Sequence, residues 1–372
     1  MKPVQSILAP SNKRVQQAAL NSVISAETDA EAIAVWLRAK GSRSINTFDS
    51  YQREASRLLL WLSEQDLRLG TMKVEDAHSF FKLLACPPAR WLRPKKTKKA
   101  EQLLPTQVFS SGLSNRSIAQ TRTILSQLFA YLQDAGYLQR NVFRLTTKPQ
   151  VLAATEHTRL LDLDGWDWLR SWIERMPRKS RLDASHAIRC RWLFSLLYHT
   201  GIRRHEAAQA RMGDFVRRNK SWALRVVGKG HKERFVTINS TLLAELVSYR
   251  VSLSLAEFPT PGEELPLIAS VNGARLLKPM TPRAIGLIVT RVSAMASAQC
   301  PDPHLKAQIE HMTTHWLRHT NATHRLLAGA SLETTQDELG HADPRTTRIY
   351  AKTSDAARLN DAEKLAALKP SR

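Results

Sequence analysis

The chain has 372 residues, long enough for two domains, and carries 55 Lys and Arg against 33 Asp and Glu, a formal charge of +22. So basic a balance exceeds what solubility requires and points to a polyanionic partner, nucleic acid first. No run of about 18 apolar residues and no basic amphipathic anchor supports the rival partner, an anionic membrane, and the few, widely spaced cysteines (Cys86, Cys190, Cys300) exclude a disulfide framework.

Residues 1–27 have no sustained apolar period and read as a flexible arm. Their opening, KPVQSILAPSNKR, lacks the apolar core of a secretory signal, so cytoplasmic residence is expected. The motif TDAE at 28–31 is a capping box ahead of Ile33, Val35, Trp36 and Leu37 and predicts a helix ending near Gly41. Three- and four-residue steps through Thr47, Tyr51, Ala55, Leu58, Leu59 and Leu62 predict a second helix. The same spacing through Ile118, Thr121, Leu125, Leu128, Phe129 and Leu132 predicts a later one. Residues 28–148 thus form an α-helical bundle, interrupted near 86–113 by a proline-rich insertion whose basic KKTKK is either solvated or a phosphate contact. A linker is expected at 149–158.

The periodicity restarts near Leu160 and opens a second domain, 159–354, which is mostly helical with one β-hairpin. SWALRVV (221–227) and KERFVTI (232–238) are rich in β-branched and aromatic residues and flank the glycine-bearing turn GKGH. The tail 355–372 places Ala356, Leu359, Ala362, Leu365, Ala366 and Leu368 at near-helical spacing. The fold class expected is mainly α, with an α+β second domain containing a small antiparallel sheet.

Three islands of this second domain carry chemistry: HTGIRRHE (199–206), THWLRH (314–319) and LGHADPRTTRIY (339–350). A tyrosine hydroxyl can attack a phosphodiester only if the charge building on the non-bridging oxygens is neutralised, and arginine forks do this bidentately. Arg203 and Arg318 are the candidates. A free phenol titrates near ~10, so Tyr350 also needs the cationic or basic neighbourhood that His315 and His341 can supply. Glu206, one turn beyond Arg203, suits orienting an arginine better than acid–base work. Arg204 reads as a surface charge or a phosphate contact.

The order and wording of these islands resemble the tyrosine recombinase (phage integrase) family over roughly residues 160–355. TGIRRHE supplies Arg203, VVGKGHKERFV (226–236) supplies Lys229, HWLR supplies His315 and Arg318, LGH supplies His341, and Tyr350 follows that histidine at nine residues. The resemblance implies catalytic roles. Tyr350 is the nucleophile that leaves a 3′-phosphotyrosyl link, Arg203 and Arg318 hold the scissile phosphate, and His341 adds a hydrogen bond. His315 is general base or phosphate ligand, and Lys229 on its hairpin turn is general acid, with Lys232 the alternative. It also implies a helical core-binding domain and a catalytic domain closing as a clamp on double-stranded DNA at specific recombination sites. A homotetramer would exchange strands between two duplexes, with the C-terminal helix docked on a neighbour or folded back, and with room for accessory DNA-bending or excision factors. No cofactor and no metal is implied. Two positions depart from the family wording: Thr314 and Thr237 stand where proline is usual.

Three alternatives remain open on the residues alone. A type IB topoisomerase uses similar chemistry without synapsis, and a non-catalytic DNA-binding regulator would share the charge. The stripe His311, His315, His319, with His324 beyond, could hold zinc, although no cysteine partner and no HExxH motif accompanies it. Tyr198, in the apolar run before Arg203, is read as core, as are Trp166, Trp168, Trp192 and Trp316.

Overall fold

The computed structural model describes residues 22–41, 45–94, 106–147, 161–228, 230–270 and 277–340. The chain divides into two compact units, Met1–Thr155 and Glu156–Arg372. Both are dominated by helices, and the second also holds a three-stranded antiparallel sheet.

The first unit comprises α1 (Asp29–Gly41), α2 (Ile45–Glu64), α3 (Val74–Ala85), α4 (Asn115–Asp134) and the single turn α5 (Val142–Leu145). The capping box forms: the Glu31 carboxylate accepts from Thr28 N–H at 3.2 Å while Glu31 N–H donates to Thr28 Oγ1 at 3.2 Å, satisfying donors a helix start leaves open. All six stripe positions of α4, from Ile118 to Leu132, are buried, and the five apolar ones meet Trp36, Leu58 and Phe80 in one core. One expectation needs correction. Residues 1–21 of the expected arm lie outside the described residues, but 22–27 do not trail: Val23 N–H donates to Ala135 O at 3.0 Å and Ala26 is buried. The expected insertion is anchored at its ends. Trp91 and Phe109 are fully buried and stacked, with the Arg57 guanidinium 4.6 Å from the Phe109 ring centre. The KKTKK run, the linker 149–158 and the tail 355–372 lie outside the described residues.

In the second unit the order is α6 (Leu163–Glu174), α7 (Arg181–Thr200), α8 (Arg204–Gln209), β1 (Phe215–Arg218), β2 (Ser221–Val227), β3 (Glu233–Ile238), α9 (Ser240–Ser252), α10 (Pro282–Ala298), α11 (Pro303–Glu310), α12 (Thr314–Leu327) and α13 (Leu332–Leu339). Helix α7 is apolar on most sides and is accordingly the central one, packed by α6, α9, α12 and β3. Trp192, fully buried on it, stacks on Tyr249 and donates its indole N–H to Leu267 O at 2.9 Å. Truncating it to alanine would cost about 3–5 kcal/mol. The hairpin pairs as read, with Leu224 opposite Val236 and Trp222 opposite Ile238, and β1 adds a third strand on the far edge of β2. Trp166 is buried, and Trp168 and Trp316 are partly so against the same core.

Candidate active site

Helix α7 stops at Gly201, whose left-handed φ of 61° turns the chain sharply. A side chain here would be strained and would strike Asn321 Oδ1 and Leu339 Cδ2, both 2.6 Å from a Cβ placed on it. The turn delivers Arg203 to the start of α8. Glu206 lies one helical turn on and is only 6 % exposed. Its carboxylate accepts from Arg203 N–H at 2.7 Å and from Arg203 Nη1 at 3.0 Å, so this glutamate does orient the arginine. The Arg203 side chain itself remains 45 % exposed.

The same carboxylate is gripped from the other side by Arg234 of β3, through Nη1 at 3.0 Å and Nη2 at 2.8 Å. Burial alone would push the Glu206 carboxyl up. The hydrogen bond and charge of Arg234, joined by those of Arg203, outweigh it and hold the group below the usual carboxylate range. Gly228, at the base of the hairpin turn, belongs to this cluster: a Cβ there would sit 3.6 Å from Arg234 Nη1 and 3.7 Å from Glu206 Oε1.

Strand β3 also fixes the end of α13. Arg234 Nε donates to Glu338 O at 3.0 Å, and the Glu338 side chain accepts from Thr237 N–H at 3.1 Å and from Arg325 at 3.2 Å. Thr237 thereby makes a bond that proline, lacking the N–H, could not make. Gly340, left-handed at φ 65°, ends α13 directly against the Arg234 stem, 2.9 Å from a hypothetical Cβ to Arg234 Cδ.

From α12, Arg318 reaches both turns. It is 2 % exposed and donates to Gly201 O at 2.5 Å and to Leu339 O at 2.7 Å. Arg203 Nη2 lies 3.5 Å from Gly340 O, so the two arginines share the same pair of turns. His315, one turn earlier on α12, is exposed, with its ring centre 4.2 Å from that of His319. Beside them Arg204, Arg283, Thr290, Thr313 and Thr314 line a cavity of about 230 Å³ without a carboxylate. Arg203, Arg318 and the chain neighbours of Lys229 and His341 are thus brought to one locus. Lys229, His341 and Tyr350 themselves lie outside the described residues.

The histidine stripe divides, because His311 caps α11 while α12 begins at Thr314. Among the described residues no group of three His, Cys, Asp or Glu side chains is placed to hold a metal ion. Tyr198 stacks on Trp166 at 3.8 Å and lies 2.9 Å from His324 Nδ1. Burial, aided by the Asp167 charge, pushes its phenol up to about 12, which makes it a poor nucleophile.

Burial and the nearby Arg325 charge press the His199 imidazole down to about 4, and its Nδ1 faces the Asn239 amide nitrogen at 3.1 Å, a partner that needs an acceptor. A folded pKa below the ordinary ~6.5 means the unfolded chain takes the proton first, so stability is complete above ~6.5 and is lost as pH falls toward 4. His199→Gln should therefore shrink the loss between pH 7 and pH 5 by up to about 2 kcal/mol in urea titrations. Identical pH dependence in variant and wild type would contradict this assignment.

The profile of the Phage integrase family matches residues 173–357. The chain is 31% identical over 247 residues to tyrosine recombinase XerC of Chromohalobacter salexigens, covering 65% of this chain and 71% of that one. It is 26% identical over 343 residues to tyrosine recombinase XerC of Xanthomonas axonopodis pv. citri, covering 87% and 93%. Among solved structures it resembles the XerH site-specific recombinase bound to difH substrate in a pre-cleavage complex, with TM-score 0.57 and 19% identity over 97% of this chain and 92% of that one. It also resembles the Tn1549 transposon integrase in complex with transposon right end DNA, with TM-score 0.60 and 19% identity over 91% of this chain and 100% of that one. At such identities the structural likeness speaks for the fold.

Proposed function

Because the chain belongs to the tyrosine recombinase (phage integrase) family, we propose that it cuts and rejoins double-stranded DNA at specific sites in a synaptic tetramer, serving integration or excision of a mobile element. The observation that carries this reading is the convergence of Arg203, Arg318 and the turns at Gly228 and Gly340 on one locus, with the buried Glu206 carboxylate held between Arg203 and Arg234. The formal charge of +22 suits a duplex partner, and the Arg204–Arg283 cavity suits a backbone phosphate beside the reacting one.

In this reaction the Tyr350 oxygen attacks the scissile phosphorus and its proton passes to His315 or to solvent. Negative charge gathers on the two non-bridging oxygens, where the Arg203 and Arg318 guanidiniums supply positive charge and His341 a hydrogen bond. Lys229 protonates the departing 5′ oxygen. The product is a 3′-phosphotyrosine and a free 5′ hydroxyl, with the bond energy kept for a second strand's hydroxyl to reverse the step. His315 suits the proton-accepting role because its side chain is exposed one helical turn before Arg318.

All groups in this scheme are side chains, so site DNA incubated with the protein in EDTA should still yield a covalent adduct. A substrate nicked near the cleavage point should trap it through a 3′ phosphate. Loss of cleavage on chelation, restored by a divalent ion, would replace this mechanism with a metal-dependent one. The curated relatives are recombinases by name, and resolution of replicon dimers is the second reading. Direct repeats or a tRNA gene flanking the coding sequence would favour the mobile element.

A further inference from the structure

We propose that Arg234 is a positioning residue that keeps the charge of Arg203 available to the scissile phosphate. The inference rests on the role given to Arg203 above. Glu206 is a single buried carboxylate between two guanidiniums, taking the fork of Arg234 at 3.0 and 2.8 Å and one nitrogen of Arg203 at 3.0 Å. Counted together the three groups carry one net positive charge. Arg234 is 12 % exposed and turned inward, whereas the Arg203 side chain is 45 % exposed. The surplus charge therefore sits on the arginine that an entering phosphate can reach.

Removing Arg234 changes that balance. Glu206 would then be neutralised by Arg203 alone, the pair would carry no net charge, and the Arg203 fork would be drawn onto the carboxylate and away from substrate. Arg234 also ties together the elements that lead to the other candidate groups. Its Nη1 lies against Gly228, just before Lys229, and its Nε and stem hold Glu338 O and Gly340, just before His341. A lysine would keep the charge but has no planar fork with which to serve the carboxylate and the carbonyl together.

Single-turnover cleavage of site DNA by full-length protein tests this, with Kd and the unfolding midpoint measured on each variant. Arg234→Met is expected to lose about 10²-fold in cleavage rate with Kd changed by less than about threefold. Arg234→Lys, the variant expected to stay folded, should lose no more than about tenfold, again in rate and not in Kd. The decisive arm is Arg234→Met combined with Glu206→Gln. Neutralising the carboxylate returns the surplus charge to Arg203, so the double variant should cleave at least about tenfold faster than Arg234→Met alone. A merely structural Arg234 would make the double variant slower still. That result, or near wild-type cleavage by Arg234→Met, would overturn the inference alone. Wild-type cleavage by Arg203→Ala would overturn the active-site reading and the inference with it.

Discussion

Tyr350→Phe should bind site DNA as wild type does and form no covalent adduct at all. The substitution deletes one oxygen and keeps the ring, so packing and the many phosphate contacts that set affinity are untouched. Removing an activated nucleophile from a comparable site costs about 10⁶-fold in rate, which puts residual cleavage below detection. Tyr198, the nearest other tyrosine before Arg203, cannot substitute. It is stacked on Trp166, paired with His324 and carries a phenol pushed up to about 12. Denaturing gels of labelled DNA would settle the matter, and an adduct that survived in the Phe variant would remove Tyr350 from the mechanism.

Arg318→Ala should lose both stability and cleavage, whereas Arg203→Ala should lose cleavage alone. Arg318 is 2 % exposed and serves the carbonyls of Gly201 and Leu339, so its removal strands two buried acceptors at about 1–3 kcal/mol each. A total near 2–6 kcal/mol corresponds to an unfolding midpoint roughly 4–24 °C lower in a unit of this size. The turns that carry Arg203 and lead to His341 would also loosen, so cleavage measured well below the midpoint should still fall by at least about 10²-fold. Arg203 is nearly half exposed and bonds mainly to Glu206, so its alanine variant should melt within about 2 °C of wild type. A stable Arg318→Ala protein that merely binds DNA weakly would show a plain backbone contact instead.

Local patterns were the legible part. The α4 stripe Ile118 to Leu132 is buried at every position named, the Thr28–Glu31 box forms, and β2 and β3 pair where β-branched residues predict them. β1 escaped because Phe215–Arg218 is four residues long and half arginine, too short to show a period. The insertion reads as a bare loop because prolines and lysines dominate it, yet Trp91 and Phe109 bury themselves from its two ends. Within the site, motif wording marks Arg203 and Arg318 but says nothing of their surroundings. Arg234 and Glu338 meet across 104 positions of chain, a separation no local pattern spans. One signal was present: Arg234 shares the period-two face of β3 with the buried Val236 and Ile238, and an arginine on a core-facing position needs an acid to meet. Glu206 is that acid.

Tyr350 should become joined to DNA through a 3′ phosphate, and identifying the residue that carries the nucleotide tests this. Trypsin cuts after Arg348 and Lys352, so digestion of the trapped adduct followed by nuclease treatment and mass spectrometry should place the added nucleotide on peptide 349–352. Peptide 192–203, which holds Tyr198, should return unmodified. A nucleotide on that peptide or on any other, or a linkage through a 5′ phosphate, would contradict the account.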